Sequence, residues 1–272
     1  MLREELQRQG LSAQFGVAVE GYSHQRDNNP NFVVKTDSSL SIPGYHEMEI
    51  VSPVLKGETG YRAIRAVCAV LKNCNVKVNS SCGFHLHIGT QDFNLTDYKT
   101  LLTRYLRAER RIYSMLAPSR FYGTFAPSMF AGFGRYQQFN GNADAIENAC
   151  EKIWAKPTIV AIYSEFFGTR YCGINIEPIA HGLRSAVEIR SHQGTADASK
   201  IIAWTEFWLA FVSNSQGSEL RYRARSANYG NRRAYIANCV LGTSTRPARY
   251  AITCWQFLAD RRELLKPAHR SA

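Results

Sequence analysis

No run of apolar residues in the chain approaches the roughly 18 that a membrane span requires. The opening residues, Met1 to Leu6, lack the apolar stretch of a secretion signal. The expectation is a cytoplasmic protein with no membrane segment. The seven cysteines (Cys68, Cys74, Cys82, Cys150, Cys172, Cys239 and Cys254) are odd in number and scattered, with no CxxC pair. That argues against a disulfide framework and against a cysteine zinc site, and leaves lone buried thiols as the reading. No internal repeat, low-complexity tract or long linker breaks the sequence. Acid is in short supply: 22 Asp and Glu stand against 33 Lys and Arg, a net charge of +11. Such a balance favours anionic partners, whether nucleotide phosphates, nucleic acid or acidic substrates, without choosing among them.

What is present is enough for a core, since the 272 residues are 45% hydrophobic and 12% aromatic. Short strand-like segments alternate with helical ones, which predicts an α+β fold. Leu2 to Gly10 reads as a helix closed by its glycine. Phe15–Gly21 and Phe32–Thr36 read as strands, with Asn28-Asn29-Pro30 marking the turn between them. Ile64, Val67, Cys68 and Leu71 recur at helical spacing. A longer helix is expected from Thr96, taken as its N-cap, to Leu116, ending before Pro118. Ser199 to Asn214 is apolar almost all round and reads as a central helix. Ser119 to Gly141, rich in Gly, Phe and Tyr, reads as a binding loop or lid. After residue 216 the chain becomes arginine-rich (Arg221, Arg223, Arg225, Arg232 and Arg233 among others), with Tyr222, Tyr229 and Tyr235 interleaved. That composition suits either a nucleic-acid surface or a solvated basic helical extension.

Three segments carry chemistry on alternate residues. In Glu47-Met48-Glu49-Ile50-Val51 the acids point one way and Met48 and Ile50 the other. In Cys82-Gly83-Phe84-His85-Leu86-His87-Ile88, the apolar residues face the core and both histidines face away. In Val187-Glu188-Ile189-Arg190-Ser191-His192, Glu188, Arg190 and His192 are expected on the side opposite Val187 and Ile189. Carboxylates and neutral imidazoles suit a divalent metal, and an arginine fork suits phosphate oxygens. Three strands of this design point to one shared functional surface. Glu109 falls within the apolar stripe of its helix, and a buried acid needs a partner. Arg120, a site cation or a structural ion pair would each serve.

Taken in order, these motifs resemble the amidoligase family of the carboxylate–amine ligase superfamily, with glutamine synthetase and glutamate–cysteine ligase. The residues that carry the resemblance are Val34-Lys35-Thr36-Asp37-Ser38-Ser39-Leu40, Glu49-Ile50-Val51-Ser52-Pro53 and Cys82-Gly83-Phe84-His85-Leu86-His87. It continues through Glu109, Ser119-Arg120, Arg170-Tyr171, Gly173-Ile174-Asn175, Val187-Glu188-Ile189-Arg190 and Gly194-Thr195, and so covers roughly residues 1–215. It implies a curved antiparallel sheet, a glutamine synthetase-like half-barrel, with helices packed outside. It also implies ATP- and Mg²⁺-dependent amide formation through an acyl phosphate. By the same resemblance Glu49, His85 and Glu188 are Mg²⁺ ligands, and Glu49, Glu188 and Arg190 are the catalytic set. Lys35, His87, Arg120 and Arg170 fall toward the nucleotide, and Asp37 and His192 toward substrate. The partners implied are a nucleotide and a carboxylate–amine substrate pair, with a homo-oligomer or protein partner and weak nucleic-acid binding as further expectations. The family's opening Gly-x-Glu-x-Glu strand has no counterpart before Phe15 to Glu20. A relative that binds nucleotide, nucleic acid or protein without catalysis is therefore the competing reading.

Overall fold

The alternation and helical stripes of the sequence become eight helices and six strands in the computed structural model, which describes residues 1–20, 29–40, 43–129 and 143–217. These residues fall into two compact units, residues 1–82 with 194–202 and residues 83–193 with those from 203 onward. The arginine-rich extension beyond residue 217 lies outside the described residues, as do Asn28 and most of the region expected to be a lid.

The first unit is built on a short sheet backed by two helices. Helix α1 (Leu2–Arg8) ends as expected, with Gly10 in the left-handed conformation at φ 66°. Strands β1 (Val17–Glu20), β2 (Phe32–Lys35) and β3 (Glu49–Val51) pair in that order, and helix α2 (Gly57–Asn73) follows. Leu6, Leu11, Phe15, Phe32, Ala63 and Ala66 form the core of this unit. β1 runs parallel to β2, so the two strands are not the hairpin that a turn at Asn28-Asn29-Pro30 would make. The sheet is thus mixed rather than antiparallel, and only β2 and β3 are antiparallel neighbours.

The second unit carries the larger core. Strand β4 (Gly83–Gly89) leads into helix α3 (Leu95–Tyr113). The cap of α3 is Asn94, not Thr96: its side chain accepts from the Asp97 N–H while the Asp97 carboxylate accepts from the Asn94 N–H. Pro118 opens a short helix, α4 (Pro118–Phe121). Helices α5 (Ala143–Ala155) and α6 (Ile159–Phe166), strand β5 (Ile174–Asn175), helix α7 (Glu177–Ala180), strand β6 (Ala186–Gln193) and helix α8 (Ala198–Ser213) complete the order. The second sheet runs β4-β6-β5 with antiparallel pairs throughout. Among the described residues neither sheet closes into a barrel. Val187 and Ile189 on β6 and Ile88 on β4 join Trp204, Trp208 and Phe211 of α8 and Leu101, Tyr105 and Ile112 of α3 in one core. Burying each such side chain fully is worth about 1.5–3 kcal/mol. The end of α8 is held by α3: buried Arg104 donates to the Phe211 carbonyl and to Ser215 Oγ. Its helical stripe in the sequence does not single out this buried base.

The thiols follow the sequence expectation in part. Cys68, Cys150 and Cys172 are buried and free, whereas Cys74 is exposed and Cys82 half-buried; Cys239 and Cys254 lie outside the described residues. Burial pushes the Cys68 thiol up to about 11 and the Cys150 thiol up to about 12, so both stay protonated at neutral pH. Among the described residues no helix is long and apolar enough to cross a membrane.

Candidate active site

The polar face of the second sheet starts from the alternation of β4 and β6. With Phe84, Leu86 and Ile88 against the core, His85 and His87 emerge on the other side, and Glu188 on the neighbouring strand meets both. Its Oε1 lies 3.6 Å from His85 Nδ1 and 3.7 Å from His87 Nε2. The same oxygen accepts from Arg190 Nη1 at 2.6 Å, and Oε2 accepts from Asn175 Nδ2 at 2.7 Å. Asn175 sits directly opposite Glu188 in the β5–β6 register.

Glu188 is 6% exposed and Arg190 9%. Burial alone would raise the Glu188 carboxyl, but Arg190, then His87, His85 and the Asn175 amide, outweigh it and hold the group below its usual range. His85 is depressed to about 4, first by burial and then by the charge of Arg190, although Glu188 pulls the other way. It is therefore neutral at physiological pH, and the carboxylate's counter-charge is the guanidinium.

A β-bulge interrupts the β4–β6 ladder at Arg190. Leu86 lies opposite Ile189, yet Phe84 lies opposite His192, so β6 spends one residue more than β4 over this stretch. An extra residue breaks the alternation and re-aims side chains. His192, expected beside Glu188 and Arg190, is instead fully buried. Its ring packs 5.1 Å from Trp204 and 5.8 Å from Phe84, and Nδ1 bonds the Gln193 carbonyl at 2.6 Å. That environment is core, not a substrate face.

Arg120 is also buried, and its guanidinium donates to the backbone carbonyls of Arg190 (2.9 Å) and Ser191 (3.3 Å). The bulge is thereby clamped from α4. Arg170 is exposed and lies over Tyr171, 5.2 Å from the ring centroid, and Arg190 lies 5.9 Å from the same ring. Tyr171 and Asn175 stand within motifs the sequence singled out, but nothing in their spacing marks them as neighbours of Glu188 and Arg190. Glu109 is fully buried and accepts from Tyr105 Oη (2.7 Å), Ser128 Oγ (2.9 Å) and the Met129 N–H (2.8 Å). These three donors are neutral groups, and they engage both carboxylate oxygens.

The remaining expected residues belong to the first unit. Lys35 and Glu49 are cross-strand partners in the β2–β3 register and form an ion pair at 3.0 Å. Asp37 caps its own turn, accepting from the Ser39 N–H and Oγ. Glu47 precedes β3, and Glu20 lies opposite Lys35 in the β1–β2 register.

Magnesium favours octahedral oxygen donors. Around Glu188 the described donors are two imidazoles and one carboxylate whose oxygens are already engaged by Arg190 and Asn175. Among the described residues no group of three or more His, Cys, Asp or Glu side chains is arranged to hold a metal ion. Among the described residues, the groups gathered around Glu188 do not by themselves supply the oxygen donors of a resident Mg²⁺.

A buried carboxylate–guanidinium pair on the polar side of the second sheet, flanked by two imidazoles and by an exposed arginine over Tyr171, is a set of groups chemically suited to an anionic ligand. The family profile described as "Putative amidoligase enzyme" matches residues 5–212. The chain belongs to this amidoligase family. No curated protein and no solved structure matches it.

Proposed function

We propose that the protein is an ATP-dependent amidoligase that joins a carboxylate to an amine through an acyl phosphate, and that the face around Glu188 and Arg190 receives the phosphates. In the first step a carboxylate oxygen of the substrate attacks the γ-phosphorus of ATP, the bond to the β-phosphate oxygen breaks and ADP leaves. In the second the amine nitrogen attacks the acyl carbon, phosphate leaves and the nitrogen loses a proton. Magnesium enters as MgATP, part of the substrate, with the triphosphate supplying most of its ligands. The glutamine synthetase-like half-barrel belongs to the same proposal.

The observation that carries the reading is the state of Arg190. Glu188 and the Phe125 carbonyl take Nη1 and Nε, at 2.6 and 3.4 Å. Nη2 has no hydrogen-bond partner among the described residues. A guanidinium held on two nitrogens keeps its third for a ligand oxygen with little entropy left to lose. Such a fixed donor suits a phosphoryl group that gains charge on its oxygens during transfer. His85, neutral and beside the pair, adds hydrogen-bonding capacity without further positive charge.

The test is interception of the acyl phosphate. The full chain, supplied with MgATP, mixed amino acids and hydroxylamine, is expected to release ADP and form a hydroxamate. Loss of both products in Arg190→Ala with the fold intact supports the reading. Hydroxamate formation undiminished in Arg190→Ala would overturn the role given to this face.

A further inference from the structure

We infer that residues 125–129 form a strap that aims Arg190, and that Glu109 and Tyr113 of α3 are its buried anchors; the inference rests on the anion-binding reading of Arg190. The strap has no regular secondary structure, yet each of its residues is tied. The Phe125 carbonyl accepts from Arg190 Nε at 3.4 Å. The Ala126 carbonyl accepts from Tyr113 Oη at 2.7 Å, and the Pro127 carbonyl from the Gly173 N–H at 3.3 Å. Ser128 Oγ and the Met129 N–H both donate to the Glu109 carboxylate, at 2.9 and 2.8 Å.

The anchors are fixed by burial. Tyr105, Glu109 and Tyr113 recur every four residues on α3, so their polar ends line one inward stripe. Glu109 is 0% exposed, and Tyr105 donates to it. Burial and the neighbouring Glu109 push both phenols well above their usual range, so they remain donors at any physiological pH. Gly173 lies so close that an added Cβ would overlap the hydroxyls of Tyr105 and Tyr113, and its carbonyl accepts from the Arg190 N–H at 2.9 Å. Anchor, strap and arginine therefore form one connected network. A buried acid inside a helix stripe is costly unless it serves such an arrangement. Glu109 is thus a positioning residue, acting on the ligand through the strap and Arg190.

The experiment reads Arg190 directly. In the full chain labelled with ¹⁵N-arginine, the Nε–H signal of Arg190, assigned by its loss in Arg190→Lys, is followed for exchange with water. Tyr113→Phe and Ser128→Ala each remove one tie and leave the buried acid in place. Each is expected to speed that exchange roughly five- to tenfold, as loss of one net hydrogen bond implies. Glu109→Ala should do so more strongly. Glu109→Gln, which keeps an acceptor for the Met129 N–H and a donor for Ser128 Oγ, should restore a rate near wild type. A lower melting temperature in Tyr113→Phe and Ser128→Ala with the Arg190 signal unmoved would make the strap merely structural and overturn the inference. A titration with MgATP runs alongside. Wild-type protein that fails to bind MgATP would count against the functional reading, while the exchange rates judge the strap separately.

Discussion

Glu188 and His85 lie 3.6 Å apart, and their titrations lean in ways that a simple ion pair would not produce. Glu188 is held below the usual carboxyl range chiefly because Arg190 overcomes its burial. His85 is depressed to about 4 because burial and Arg190 together exceed the pull of Glu188. An unfolded histidine titrates near 6.5. Between pH about 6.5 and about 4 the unfolded chain therefore binds the proton that folded His85 refuses, and folding stability must fall as pH drops through that window. Glu188 adds a loss of the same sign at lower pH, once the unfolded carboxyl would be protonated. Denaturant melts at a series of pH values are expected to show this slope, and His85→Asn should flatten it above pH 4. A slope unchanged in the variant would mean that His85 is not buried beside a cation. Glu188→Ala leaves the Arg190 guanidinium without its carboxylate at a buried site, with an expected cost of about 3–5 kcal/mol. Chemical denaturation of Glu188→Ala against wild type measures it, and an unchanged midpoint would mean that water replaces the carboxylate freely.

At the scale of elements, β6 and the turn before β5 decide the geometry. Gly173→Ala is expected to destabilise the protein by about 1–3 kcal/mol, because the new methyl group must displace the Tyr105 and Tyr113 hydroxyls from a packed interior. A thermal melt identical to wild type would show that the network yields at no cost. The elements themselves were readable in the sequence. Alternation located β4 and β6 and assigned Phe84, Leu86, Ile88, Val187 and Ile189 to the core, because a half-buried strand permits no other pattern. The bulge was not readable. Period-two reasoning assumes constant register, so it carried His192 onto the face of Glu188, whereas one extra residue in β6 turns it inward against Trp204. The cap of α3 differs for another reason: Asn94 and Thr96 are both residue types that cap helices, and the reciprocal bonds between Asn94 and Asp97 decide for Asn94. The parallel pairing of β1 and β2 was hidden because turn-forming residues in a connector say nothing about the direction of the strand that follows. Of the candidate site, the proximity of Glu188, Arg190, His85 and His87 was legible from residue type on alternate positions. Asn175, Tyr171 and the Phe125 carbonyl were not, because their role depends on contacts made across the fold.

Across the whole molecule, the family assignment spans residues 5–212 and leaves the arginine-rich extension outside it. With a net charge of +11, the full chain is expected to bind nucleic acid weakly, with affinity that falls steeply as salt rises. Filter binding at two salt concentrations would check this, and tight binding that persists at high salt would favour a nucleic-acid function. The central claim is that the Glu188–Arg190 face receives the phosphates of MgATP. Calorimetric titration of the full chain with ATP, with and without Mg²⁺, in wild type and in Arg190→Ala, tests it most directly. The account predicts tighter binding with Mg²⁺ and a loss of roughly ten- to hundredfold in Arg190→Ala, in line with a charge-assisted hydrogen bond of about 1.5–3 kcal/mol. Equal affinity in the folded variant and the wild type would contradict it.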